Sequence, residues 1–250
     1  MRLIDLTTPL SDLTPAWPTY EPLQIKFFKR LAPNGANGQL LTHSNHVGTH
    51  LDGSLHFCTH GRDIASIPLD ELYGDAVVVD ISDMAEDYGF YGPEDLMKRA
   101  DIRKNDILVI NTGYNRYSWE KPEADEVRYM VKHPGPKMEF AEWCLDMKFK
   151  WIGVDCGSAD HPMNTKIRDW MPMQAREFEE KWGKPINHFF PDNHYQLMHI
   201  YLFPHDVIHA ECLGGDINEL SNKRTKIGIF PWRFVGGESC IARCVAFHED

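Results

Sequence analysis

Between His46 and Phe57 the chain reads His-Val-Gly-Thr-His-Leu-Asp-Gly-Ser-Leu-His-Phe, gathering three imidazoles and one carboxylate around two glycines. Neutral imidazole nitrogens and a hard carboxylate oxygen are what a borderline divalent ion such as Zn²⁺ or Mn²⁺ accepts in a catalytic site. Residues 46, 50, 52 and 56 share parity, so one straight strand would put them on a single face. Such a strand would also hold His46 and His50 about 13 Å apart at roughly 3.3 Å per residue, too far for both to meet one ion. A regular helix would align the two rings, but Gly48 between the β-branched Val47 and Thr49 makes a poor helix. The chain must therefore bend, and Gly48 is the expected place, because glycine enters positive φ without a Cβ penalty. His50 and Asp52 then face one way from an extended segment, and a second turn at Gly53 and Ser54 aims His56 at the open coordination position.

Three ligands leave a catalytic ion under-coordinated. The best donor of more is the segment His199-Ile-Tyr-Leu-Phe-Pro-His-Asp-Val-Ile-His-Ala-Glu211. In a strand over 207–213, alternation places Val207, His209, Glu211 and Leu213 on one face. A buried glutamate needs a partner, because an unpaired carboxylate in an apolar interior is very costly. A metal ion is one such partner and an arginine such as Arg243 is the other.

The elements that must position these groups read as mixed α/β. Short apolar, β-branched runs predict buried strands at 75–81, 106–112, 151–155, 207–213 and 241–247. Pro93 opens a helix with acids in its first turn. Phe140, Trp143, Cys144 and Met147 form the apolar stripe of a second helix over 139–148. A third helix is expected from Asp192 as N-cap to about Leu202. The proline-rich stretch 161–191 reads as an elaborated loop with a short helix near 173–181, and loops of that length are usually functional. At 250 residues and 42% hydrophobic content, with no break in composition, residues 1–250 are expected to form a single domain. The formal net charge of −11 argues against nucleic acid or an anionic membrane as partner and leaves a small-molecule substrate. The first residues lack a signal-peptide run, and no segment approaches the roughly 18 apolar residues of a membrane span, so a cytoplasmic location is expected. The six cysteines form no Cys-x-x-Cys pair and read as ordinary buried thiols.

The motif resembles the signature H-x-G-T-H-x-D-x-P-x-H-F of the cyclase-like metal-dependent hydrolases, the family of bacterial kynurenine formamidase and isatin hydrolase. Here it reads HVGTHLDGSLHF, with Ser54 in place of the proline, which loosens a φ restraint on the turn that aims His56. Similarity continues in ILVINTGY (107–114), WIGVDCGSAD (151–160) and the terminal GGESCIARCVAF. The resemblance implies a single-domain swivelling β/β/α-type fold with a mixed central sheet. It also implies His46, His50 and Asp52 as metal ligands, with Asp52 able to bridge a second ion, and His56 as proton donor and acceptor. His199 and Glu211 match the later His and Glu of the formamidases, whereas alternation favours His209 beside Glu211. Trp17 falls where the formamidases place a pocket tryptophan, and a homodimer or homotetramer is implied.

From these residues the expected chemistry is hydrolysis of an amide, cyclic amide or lactone to a carboxylic acid. One or two ions, Zn²⁺ or Mn²⁺, would activate water, with His56 as general base. Phe57, Trp17 and Tyr114 suggest a flat or aromatic substrate, and Arg168 and Arg176 are candidates for binding a substrate carboxylate. The competing expectation is a non-catalytic metal-binding or metal-sensing protein, in which His56 is a fourth ligand and the site is closed.

Overall fold

A computed structural model describes residues 1–249. Its main sheet contains β1 (Arg2–Asp5), β2 (His50–Asp52), β3 (Tyr73–Asp80), β4 (Ile107–Asn111), β5 (Trp151–Val154), β6 (Ile208–Glu211), β7 (Lys223–Pro231) and β8 (Ser239–His248). The strand order is β1, β8, β7, β3, β4, β5, β6, β2. Because β2 also pairs with β8, strands β2 to β8 close into a mixed barrel, with the β3, β4, β5 and β6 neighbours parallel and the other pairs antiparallel.

The continuous apolar runs of β3 and β4 are what parallel strands covered on both faces require. Alternate residues feed two cores. Ala76, Val78, Ile107 and Val109 join Leu51, Trp151, Ala210 and Ile229 inside the barrel. Val77, Val79, Leu108 and Ile110 face outward to Phe140, Phe178 and Phe190 of the helical layer. The helices of that layer are α1 (Pro93–Met97), α2 (Met138–Met147), α3 (Ile167–Trp170), α4 (Pro172–Trp182) and α5 (Ile186–Phe189). As its stripe predicts, α2 buries Phe140, Ala141 and Cys144. Among the described residues no helix is long and apolar enough to cross a membrane.

Three expectations need correction. The stretch 161–191 contains the expected short helix near 173–181, as α4, but is more helical than a loop: a 3₁₀ turn at Pro162–Asn164 and helices α3 and α5 accompany it, anchored by the buried rings of His161, Phe178 and Phe190. No regular helix spans 192–202; a 3₁₀ turn at Asp192–His194 and a π turn at Leu197–Tyr201 flank Gln196, whose φ of 45° interrupts helical propagation. The strand over 207–213 stops at Glu211, because Cys212 turns left-handed at φ 57°. That turn reverses the parity, so Leu213 packs in the barrel with Ile208 and Ala210 and not on the face of His209. The spacing analysis did not foresee β7, whose first half is polar, nor the hairpin of Gln24–Lys29 with Gly38–Thr42.

Candidate metal centre

Gly48 supplies the bend, with φ of 62°; a Cβ there would lie 3.1 Å from Leu10 Cδ1 and 3.3 Å from Thr14 Cγ2. The turn brings His46 Nδ1 within 3.3 Å of His50 Nε2. On β2, Leu51 enters the barrel core, so His50 and Asp52 face outward. Antiparallel pairing with β6 sets His209 opposite Asp52 and Glu211 opposite His50. Barrel closure thus joins segments from the two halves of the chain.

Asp52 is fully buried, and neither carboxylate oxygen has a hydrogen-bond donor among the described residues. Its Oδ1 lies 3.1 Å from His46 Nδ1 and 3.4 Å from His50 Nε2; its Oδ2 lies 3.7 Å from His199 Nε2 and 3.8 Å from His209 Nδ1. Desolvating a carboxylate without a donor is expensive, and a divalent cation among these nitrogen and oxygen atoms removes the cost. The donor set therefore fits a borderline divalent ion. Two groups of side chains offer ligand atoms within 4.8 Å of one another: Asp52, His199, His209 and Glu211, and His46, Asp52 and His56.

Surrounding polar groups fix which ring nitrogens face the centre. His50 donates from Nδ1 to the Gly48 carbonyl at 2.8 Å, leaving Nε2 inward. His199 donates from Nδ1 to Asp160 Oδ2 at 2.7 Å. Glu238 Oε2 accepts from His46 Nε2 at 2.9 Å and from His56 Nδ1 at 2.8 Å, while Asn45 donates to its other oxygen at 2.8 Å. Glu211 Oε1 accepts from the Ser158 hydroxyl at 3.1 Å and the Ala159 N–H at 2.8 Å. A carboxylate behind an imidazole fixes its tautomer and raises its basicity as a ligand.

The electrostatics divide the histidines. Burial holds His50 down to about 4 and His209 well below the usual imidazole range, so both rings are neutral. Burial also opposes charge on His46 and His199, but Asp52 beside the first and Asp160 beside the second outweigh it and lift both to about 10. Burial and the Asp52 charge push Glu211 up. Burial works against an ionised Glu238, yet the hydrogen bonds from His46 and His56 hold it well below the usual carboxylate range. Ring and carboxyl protons here occupy positions a cation would compete for.

The floor of the adjoining cavity, about 30 Å³, is formed by His46, Asp52, His56, His199 and Glu211, with Trp17, Tyr20, Phe57 and Gln196 around it. Trp17 and Phe57, the residues expected to bind substrate, line this cavity. Ser54 retains the turn that proline would restrain by other means: its hydroxyl donates to Asp206 Oδ1 at 2.9 Å and accepts the Arg62 N–H at 2.9 Å. Other candidates lie elsewhere. Tyr114 is buried in the outer core with its hydroxyl on Asp87 at 2.7 Å. Arg168 packs over the Tyr195 ring and Arg176 is exposed, neither lining the cavity. Arg243 pairs with Asp5 and not with Glu211. Glu238, Asp160 and Ser158 carry no ligand-like spacing in the sequence, although all three lie inside the motifs that carry the resemblance, WIGVDCGSAD and GGESCIARCVAF.

Residues 4–161 match the family described as Putative cyclase, and the chain belongs to that family. The matched stretch carries the bend and its histidines, whereas His199, His209, Glu211 and Glu238 lie beyond it. Among curated proteins, the kynurenine formamidase of Bordetella avium is 25% identical over 169 residues, 67% of this chain and 75% of that protein. The kynurenine formamidase of Bacillus cereus is 25% identical over 164 residues, 65% of this chain and 72% of that protein. Isatin hydrolase A from Ralstonia solanacearum superposes with a TM-score of 0.77 at 20% identity, covering 99% of this chain and 92% of its own, which establishes a shared fold.

Proposed function

We propose that the protein is a metal-dependent hydrolase that cleaves an amide, cyclic amide or lactone to a carboxylic acid. The observation that carries this reading is the buried Asp52 carboxylate, without a donor on either oxygen and ringed by four imidazole nitrogens. His46, His50 and Asp52 hold the ion, Zn²⁺ or Mn²⁺, and His199 and Glu211 complete the centre on the other side of Asp52, for one or two ions per chain. When bound, a divalent ion supplies Lewis acidity to an acyl carbonyl and brings the pKa of water toward about 7.

The chain's own residues do the rest. His56 donates from Nδ1 to Glu238, which leaves Nε2 to take a proton from water and return it to the leaving nitrogen or oxygen. Trp17 and Phe57 wall the cavity and favour a flat acyl substrate by stacking. The names of the relatives, kynurenine formamidase and isatin hydrolase, favour an aryl formamide or an isatin-like ring. The protein acts as one domain over 1–250 in the cytoplasm, in keeping with six free thiols. It assembles as a homodimer or homotetramer, which the exposed Phe28, Leu31 and Leu40 of the Gln24–Thr42 arm support.

The test is hydrolysis by chelator-treated protein across aryl formamides, isatins and lactones. Activity absent after chelation and restored by Zn²⁺ or Mn²⁺ is the expected result. A protein that retains its ion and turns over nothing in the panel would instead be a metal binder.

A further inference from the structure

Two residues of the cavity, Tyr20 and Gln196, have no part in the proposed reaction. Each is fixed through its backbone. The Tyr20 N–H donates to the Trp17 carbonyl at 2.9 Å, closing the turn Trp17-Pro18-Thr19-Tyr20, and the Trp17 N–H donates to the His46 carbonyl at 2.9 Å. The Tyr20 ring thereby meets the His46 imidazole edge-on at 5.3 Å. The Gln196 N–H donates to the Asn164 carbonyl at 2.9 Å, and the Gln196 carbonyl accepts from the N–H groups of His199 at 3.0 Å and Ile200 at 2.7 Å. Both placements are strained: Thr19 sits at φ 76° and Gln196 at φ 45°. The third residue of such a turn is ordinarily glycine or asparagine, and a β-branched residue at positive φ is an outlier. Left-handed residues other than glycine persist only where their surroundings over-determine them, and they gather at active sites and ligand clamps.

Because these bonds are made by the backbone, the Tyr20 hydroxyl and the Gln196 side-chain amide are left uncommitted among the described residues. In a cavity of about 30 Å³, a molecule on the floor comes within reach of both. The lining holds the carboxylates of Asp52 and Glu211 and no lysine or arginine. A carboxylate on the substrate would face those acids without a side-chain cation, and an unpaired charge out of water is costly. A phenol donates a hydrogen bond at neutral pH, and a primary amide both donates and accepts, so the two side chains suit an uncharged carbonyl, amide or hydroxyl. We propose that Tyr20 and Gln196 are specificity-determining residues that hold an uncharged polar group of the substrate beside the scissile acyl bond, so that neutral aryl amides are preferred over those bearing a free carboxylate. This assignment deepens the hydrolase reading and rests on it.

The experiment uses the full chain loaded with Zn²⁺ or Mn²⁺ and three formanilides that differ only ortho to the nitrogen, where they carry hydrogen, acetyl or carboxylate. The wild type is expected to give its highest kcat/KM with the acetyl compound and its lowest with the carboxylate. Tyr20→Phe and Gln196→Leu should each lower kcat/KM for the acetyl compound by about 5- to 10-fold, the worth of a neutral hydrogen bond, and leave the unsubstituted compound within about twofold. Gln196→Arg should shift the preference toward the carboxylate by about 10-fold, as a charge-assisted bond replaces a neutral one. Equal losses on all three compounds in Tyr20→Phe and Gln196→Leu, as a merely structural role would give, a wild-type preference for the carboxylate, or an unchanged preference in Gln196→Arg would overturn the inference while leaving the hydrolase reading in place. Turnover of no formanilide, isatin or lactone by the loaded wild type would remove both.

Discussion

His46 and His56 share one oxygen of Glu238 with their rings tilted at a centroid distance of 4.3 Å, and the proposed mechanism gives them different tasks. His46 turns its Nδ1 toward Asp52, whereas His56 turns Nδ1 toward Glu238, and the proposal assigns its Nε2 to proton transfer. His56→Ala is therefore expected to retain its metal while turnover falls by roughly 10²- to 10⁴-fold, the range for a positioned general base. Metal analysis beside the rate decides it, since loss of the ion would make His56 a ligand. Glu238→Gln should lower kcat by roughly 10- to 100-fold with KM little changed, because the amide carbonyl holds both rings less firmly than a carboxylate. Steady-state kinetics read that split, and a rise in KM at constant kcat would assign Glu238 to substrate binding. The proximity of His46, His50, Asp52 and His56 was legible in the sequence because two short turns, at Gly48 and at Gly53–Ser54, relate them. Glu238 was not, because it acts on His46 across 192 positions, and Asp160 reaches His199 across 39. Spacing carries no signal for contacts that only barrel closure creates.

At the scale of elements, the bend at Gly48 and the β2–β6 register are what make the site. Gly48→Ala places a Cβ at positive φ and within 3.1 Å of Leu10, so it should destabilise the fold by about 1–2 kcal/mol or more. It should also weaken metal binding more than an equally destabilising change in α2 does, as denaturation and metal titration of both variants would register. Equal losses would show that the bend serves stability alone. The strands β3 to β5 were readable because doubly covered parallel strands must be apolar throughout. The polar Lys223–Lys226 half of β7 hid that strand, which lies between β3 and β8 in the barrel. The π turn bearing His199 replaces the expected helix, and the left-handed backbone of Gln196 separates it from the 3₁₀ turn at Asp192–His194. Such π turns recur at functional sites.

Across the whole molecule, stability should depend on acid through histidines remote from the metal ligands. Burial holds His133 down to about 4 and His161 down to about 3, the latter among the rings of Phe90, Phe178 and Phe190. With folded pKa values below the ordinary 6.5, the unfolded chain binds more protons in between. Their contribution is therefore complete above pH 6.5 and is lost as pH falls toward 4 and below. Urea midpoints should show wild type ahead of His161→Gln at pH 7, with the gap narrowing toward pH 4.5; a constant gap would mean that the ring titrates normally. Fold class and the N-terminal half of the site were legible because local pattern determines them, whereas the closure that brings β2 against both β6 and β8 is a property of the folded chain alone. The central claim is that Asp52 gathers the ion, and Asp52→Asn tests it with almost no change of shape. Metal content per chain, measured against the wild type after loading with Zn²⁺ or Mn²⁺, should fall to background in this variant. Retention of wild-type metal content by Asp52→Asn would contradict the account.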